Sequence, residues 1–302
     1  MIALAAVIAA AAAGGVGAER RLGPRAVTFA RWLMAFLLWV VLPIVAFFNI
    51  AALELTVRVG AGVAFGYVAL AVTLGLAYAI GTWVLRLERA SVGALMIVSG
   101  FANTGFLGLP FVVALLGFSE LPNAVAYDAL VSGLALVSIG FTVGAAFGTL
   151  GETPRARVRS FFTRNPPLYA TAAGFLAPDV LAPEWAVDAS QVLVLVTVPV
   201  GFFAVGVTLG SERRRRDRAN PGLAAVATGV GLKIVVAPAV VLTLSVLVIE
   251  APRAYLSQAG MASAVNALVV ADAYGLDRGL VAAGIAWSTA IVVAVGLTAS
   301  LA

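Results

Sequence analysis

The chain has 302 residues, 62% of them hydrophobic and 11% charged, with a mean hydropathy of +1.07 and a formal net charge of +5. Soluble domains are roughly 45–50% apolar and about 25% charged, so this is an integral membrane protein. Its recurring runs of ~20 apolar residues argue helices rather than a barrel, and no polar stretch is long enough to build a soluble domain. The absence of Cys and His excludes Cys/His metal sites, haem ligation through those residues, and Ser–His or Cys–His nucleophilic catalysis. No GxxxxGK[ST] stretch supplies a P-loop. No cofactor is expected, and a membrane-embedded enzyme remains only a remote alternative.

The first apolar span covers 2–18. A secretory signal would open on positive charge. Here Arg20, Arg21 and Arg25 follow the span instead, so it reads as a retained first helix. A second span over 31–50 contains Pro43. The third, 60–85, is rich in Gly and Ala and ends at Arg86, Glu88 and Arg89. The fourth, 91–117, carries an amide, a hydroxyl, two glycines and a proline in its middle: Asn103, Thr104, Gly105, Gly108 and Pro110. That composition predicts a broken helix. Broken backbone survives in lipid only where the freed groups face protein, water or a ligand. The fifth span, 123–149, carries Asp128, and a polar connector over 151–167 marks the midpoint.

The sixth span, 168–182, is short like the first. The seventh, 190–211, contains Pro199 and leads into an arginine run over 213–218. The eighth, 222–249, places Lys233 at mid-span. In the ninth, 255–275, Ser263 and Asn266 mark a second polar break, with Asp272 near the end. The tenth is 279–301. Sorting Lys and Arg by alternate loops tests this count of ten. One side collects the arginines at 20–31, 86–89, 155–164, 213–218 and 278; the other holds only Arg58 and Arg253. The positive-inside rule puts the first side in the cytoplasm and both termini outside the cell membrane. Topology therefore accounts for the basic charge, and no nucleic-acid partner is implied.

The spans correspond five to five. Leu42-Pro43-Ile44-Val45 followed by Phe47-Phe48 matches Val198-Pro199-Val200-Gly201 followed by Phe202-Phe203, and Asn103 matches Asn266. Five is odd, so the second half enters the membrane from the opposite side. The expected architecture is all-α, with ten transmembrane helices in two inverted five-helix repeats, 1–150 and 151–302. Paired broken spans in such repeats point to the substrate site.

Several segments resemble the auxin efflux carrier family. They are NTGFLGLPFVVALLG in the fourth span, RNPPLYATAAGFL at the sixth, GFFAVGVTLG in the seventh, SAVNALVVADAYGLD in the ninth and STAIVV in the tenth. The resemblance covers nearly the whole chain and implies a fold similar to bile-acid/sodium symporters, with helices four and nine broken and crossing near the midplane beside the substrate. It also implies secondary transport of small organic anions, auxin-like or malate- and malonate-like. Plant members carry proline at both breaks, where this chain has Ala102 and Ala262.

Asn103, Thr104, Gly105, Gly108 and Pro110 are expected to form one half of the substrate site, and Ser263 and Asn266 the other. Polar side chains can also serve as glue between helices. Pro43 and Pro199 would kink their helices and face the crossing. Lys233 is a charge at membrane depth, so water or a partner is required. Asp272 is the candidate partner. Asp128 is either a coupling group or an interfacial acid. Two half-helix N-termini and the Asn amides suit a carboxylate, and Lys233 can replace a bound cation. The coupling ion, proton or sodium, stays open. A sodium-coupled symporter of the bile-acid type would need more oxygen ligands than Ser263 and Asn266 provide. The expected partners are the lipid bilayer and a small organic anion, and a homodimer is left open.

Overall fold

The computed structural model describes residues 2–149, 166–215 and 222–299. Most of the connector expected over 151–167, together with Arg216 and Arg218, lies outside the described residues. Among those described, helices make up nearly all the regular structure. They are α1 (Ile2–Leu22), α2 (Pro24–Ala51), α3 (Val57–Val84), α4 (Arg89–Gly100), α5 (Thr104–Leu116), α6 (Phe118–Phe147), α7 (Pro166–Leu176), α8 (Glu184–Arg215), α9 (Leu223–Leu247), α10 (Arg253–Ala259), α11 (Ala267–Tyr274) and α12 (Arg278–Ala299). Six of these are long and apolar enough to cross a membrane: α2, α3, α6, α8, α9 and α12. Large apolar side chains such as Trp32, Trp39, Trp83 and Trp287 stand exposed on the outside, as a lipid-facing surface requires. The chain is a multi-pass membrane protein.

Helix ends follow local chemistry. Pro24 opens α2 in the first turn, where its missing N–H removes no helical bond. Thr56 caps α3 by accepting from the Val59 N–H at 3.2 Å. Within the long helices a pattern recurs. Wider π-turns cover Leu37–Val41, Thr104–Gly108 and Leu232–Val236, and each ends two residues before a proline: Pro43, Pro110 and Pro238. A proline ring collides with the carbonyl four residues back and leaves it without a donor. One extra residue in the turn relieves that collision, so the helix continues with a bulge instead of breaking.

Two close crossings join the ends of the chain to its middle. Helix α1 lies along α8 so tightly that a Cβ at Gly15 would stand 2.1 Å from the Phe203 carbonyl oxygen. One at Gly206 would stand 2.1 Å from the Ala12 carbonyl oxygen. Helix α7 lies on α2 in the same way, and a Cβ at Gly174 would stand 2.7 Å from the Phe47 carbonyl oxygen. Small residues allow such approach where no hydrophobic effect drives helices together. The Asn49 amide on α2 donates to the Ser190 hydroxyl on α8 at 3.2 Å, tying this group of four. Helices α4, α11 and α12 share a second core built on Leu95, Ile97, Val98 and Phe101 with Leu268, Val270, Leu280 and Ile285, while α5 and α10 pack with α2 in another.

Candidate functional site

Between α4 and α5 the chain leaves the helix for three residues, and between α10 and α11 it does so for seven. The two gaps meet. Ala102 and Ser263 form an isolated antiparallel bridge, in which the Asn103 N–H donates to the Ala262 carbonyl at 2.7 Å and the Ala264 N–H donates to the Phe101 carbonyl at 2.9 Å. The breaks therefore satisfy each other. Other freed groups find side chains: the Ser263 N–H donates to the Ser288 hydroxyl at 3.0 Å, and the Ser263 hydroxyl donates to the Val98 carbonyl at 2.9 Å. With these bonds the backbone accounting that lipid imposes is largely closed.

The bridge makes a direct prediction. In this bonding pattern Ala102 and Ser263 form a non-hydrogen-bonded pair, with Cα atoms about 4.5 Å apart, inside the range that admits a disulfide. The chain has no native cysteine. The double variant Ala102→Cys, Ser263→Cys should form one intramolecular disulfide on mild oxidation, read as a loss of two thiols by mass spectrometry. Two free thiols after oxidation would contradict the bridge.

The polar residues of the first break are buried. Thr104 donates its hydroxyl to Asp128, which comes from the π-turned part of α6. Asp128 is thus drawn to the break rather than lying at an interface. Its carboxylate oxygens sit 3.4 Å from where a Cβ on Gly105 would be. Asn103 is 4% exposed, and its side-chain nitrogen has no partner among the described residues. Pro110 is buried one turn on.

Gln258, on α10, is a residue that sequence reasoning passed over. It is fully buried and donates to the carbonyls of Ala124 at 3.2 Å and Thr104 at 3.4 Å. Its Oε1 occupies the space a side chain at position 108 would need, 1.9 Å from an ideal Cβ there. Gly108 is therefore required for Gln258 to cover the π-turn. A lone amide near the start of an apolar run was the available signal.

Lys233 sits in the π-turn of α9, 3% exposed. It lines a cavity of about 20 Å³ together with Thr73, Phe101, Ala102, Tyr127 and Ser132. That volume holds roughly one water molecule. Among the described residues Lys233 makes neither an ion pair nor a hydrogen bond.

Four expected site residues lie elsewhere. Asp272 does not reach Lys233. It is half-exposed and pairs with Arg278 across the α11–α12 turn, because it lies on the outer face of a helix only eight residues long. Pro199 is exposed; the buried neighbours Val198 and Phe202 face inward, and Gly201 packs on Phe106 of the π-turn. Pro43 is half-buried and does not line the cavity. Asn266 opens α11 with an exposed side chain, and its backbone carbonyl accepts from Val269 and Val270.

Residues 162–298 match the model of a family described as membrane transport protein. An uncharacterized transporter of Methanocaldococcus jannaschii is 28% identical over 225 residues, which cover 70% of this chain and 68% of that protein.

Proposed function

We propose that this chain, which belongs to the auxin efflux carrier family of membrane transport proteins, carries small organic anions by alternating access. It is a transporter and not an enzyme. The observation that carries the substrate class is the junction of the two breaks. It holds the α5 N-terminus and the Asn103 amide, whose nitrogen has no partner among the described residues, and the neighbouring Phe101 and Ala102 line a cavity with the buried Lys233. Donors, a helix dipole and a cation together suit a carboxylate. The anion would sit against the break at Asn103 and Thr104, with Lys233 as its counter-charge.

We read the architecture as ten spans in two inverted repeats. The close crossings support this, since the first helix of each half packs on the second helix of the other: α1 on α8, and α7 on α2. So do two acids at matching places. The Asp277 carboxylate accepts from the Leu280 N–H at 3.0 Å and from the Ser91 hydroxyl at 2.8 Å, at the start of α4. The Glu120 carboxylate accepts from the Asn123 amide at 3.2 Å and the Ala254 N–H at 3.3 Å, at the start of α10. Each acid follows one broken span and holds the beginning of the other.

Counterflow of radiolabelled carboxylates in proteoliposomes tests the function, with pyruvate, malonate and indole-3-acetate as the panel. Exchange of at least one, saturable and absent from protein-free vesicles, is the expected result. No exchange of any would overturn the reading. Orientation is tested separately. A cysteine at Ser119 should react with an impermeant maleimide added outside intact cells, and one at Arg215 should react only after permeabilisation. The reverse pattern would invert the topology.

A further inference from the structure

We propose that Asp128 carries a proton that crosses the membrane with the substrate carboxylate, one for one. The inference rests on the carboxylate-transport reading above and deepens it by assigning the coupling ion. Two ionisable side chains of opposite sign flank the first break. Lys233 lines the cavity at Phe101 and Ala102. Asp128 lies against Thr104 and Gly105, its carboxylate oxygens in van der Waals range of where a Cβ on Gly105 would stand. Among the described residues neither is in an ion pair. An intramembrane acid without a cation beside it is the usual mark of an ion or proton pathway.

The surroundings leave few other groups for this task. On the segments packed around Asp128 the titratable side chains are Arg58, Tyr67 and Tyr78 of α3, Tyr169 of α7, Arg253 and Tyr255 of α10, Lys233 of α9, and Tyr127 and Glu120 of α6 itself; Arg253 is exposed at the start of α10. Helix α5 and residues 42–51 of α2 add none. Arg58 pairs with Glu250 at 3.4 Å, both largely exposed, and Glu120 is engaged by Ala254 and Asn123. Tyr67 donates to the Leu130 carbonyl at 2.7 Å. Tyrosine ordinarily ionises near pH 10. Asp128 and Lys233 are what remains to set the charge at membrane depth.

Charge balance then decides the stoichiometry. With Lys233 protonated and Asp128 ionised, the empty site is neutral. A carboxylate with one net negative charge, entering alone, would leave the loaded site negative in a low-dielectric setting, where an uncompensated charge is strongly disfavoured. One proton on Asp128 restores neutrality. Anion and proton enter from one side and leave on the other, no covalent bond changes, and the empty carrier returns neutral. Both crossings are electroneutral, so the pH gradient drives transport and the membrane potential does not.

The test uses the intact protein in vesicles with pyranine inside, and as probe whichever of the monoanions pyruvate and indole-3-acetate exchanges faster in counterflow. Substrate uptake should acidify the lumen with the potential clamped at zero. A pH gradient of one unit should raise steady-state accumulation of a monoanion roughly tenfold. A clamp of ~100 mV should change it less than about twofold, where one uncompensated charge would give roughly 50-fold. Asp128→Asn should abolish the pyranine response, and Asp128→Glu should keep it. A monodisperse elution profile checks that both variants fold. Counterflow without proton movement, or accumulation that follows the potential, would overturn the coupling while leaving the transport reading intact. Acidification by Asp128→Asn equal to wild type would remove the proton from Asp128. Failure of counterflow with all three carboxylates of the panel would instead sink the transport reading beneath it. The wild-type measurements stand even if both variants misfold.

Discussion

Lys233→Met should reduce carboxylate counterflow by roughly 10- to 100-fold while leaving a folded protein in the membrane. The loss corresponds to one hydrogen bond to a charged group, about 1.5–3 kcal/mol. Folding should survive for a reason the structure supplies. Removing one member of a buried ion pair strands the other and destabilises, but the acid nearest in expectation, Asp272, pairs with Arg278. Lys233 has no such mate among the described residues. Met keeps the apolar length of the stem, and the adjoining cavity has room for roughly one water, so little repacking is needed. Counterflow and a thermal unfolding curve on the same preparation separate the two effects. Wild-type counterflow by the Met variant would show that the ammonium takes no part in transport.

The second large effect is on stability, and it contrasts two adjacent residues. Gly15→Val should destabilise by about 1–3 kcal/mol, the usual range for forced overpacking. Its Cβ would meet the Phe203 carbonyl oxygen at 2.1 Å and the Val207 nitrogen at 2.8 Å. Those are backbone atoms, which cannot swing aside as a side chain can, so α1 must back away from α8 along its length. Gly14→Val should stay within roughly 0.5 kcal/mol, as surface substitutions usually do, because nothing lies within 4 Å of its Cβ. Scanning fluorimetry in one detergent compares the two. Equal melting temperatures would mean that α1 and α8 are not in backbone contact.

Much of the architecture can be read from residue types alone. Gly, Asn, Thr and Pro crowded into the fourth span mark a break, since each disfavours an uninterrupted helix for its own reason. The paired break in the ninth span follows from Ser263 and Asn266, even though the latter turned outward. Which face each helix presents was much harder to see. In a soluble helix polar residues mark the solvent side. Here lipid and protein interior are equally apolar, so nothing in α8 distinguishes exposed Pro199 from buried Val198. The same ambiguity hid Gln258, whose partners are carbonyls of Thr104 and Ala124, far away in sequence. It also made Asp272 look like a partner for Lys233. Depth along a span is legible from position, but the direction around the helix axis is not.

The bond between the two breaks has a consequence for how the protein is made. Residues 101–103 leave the ribosome about 160 residues before 262–264 do. At roughly 5–20 residues per second that is a wait of about 8–30 seconds. Throughout that interval the Asn103 N–H and the Phe101 carbonyl are without the partners they later hold. A fourth span inserted on its own would expose both to hydrocarbon, at several kcal/mol for each. The loop at 101–103 is therefore expected to stay wet or sheltered until 262–264 are made, and to settle into the bilayer only then.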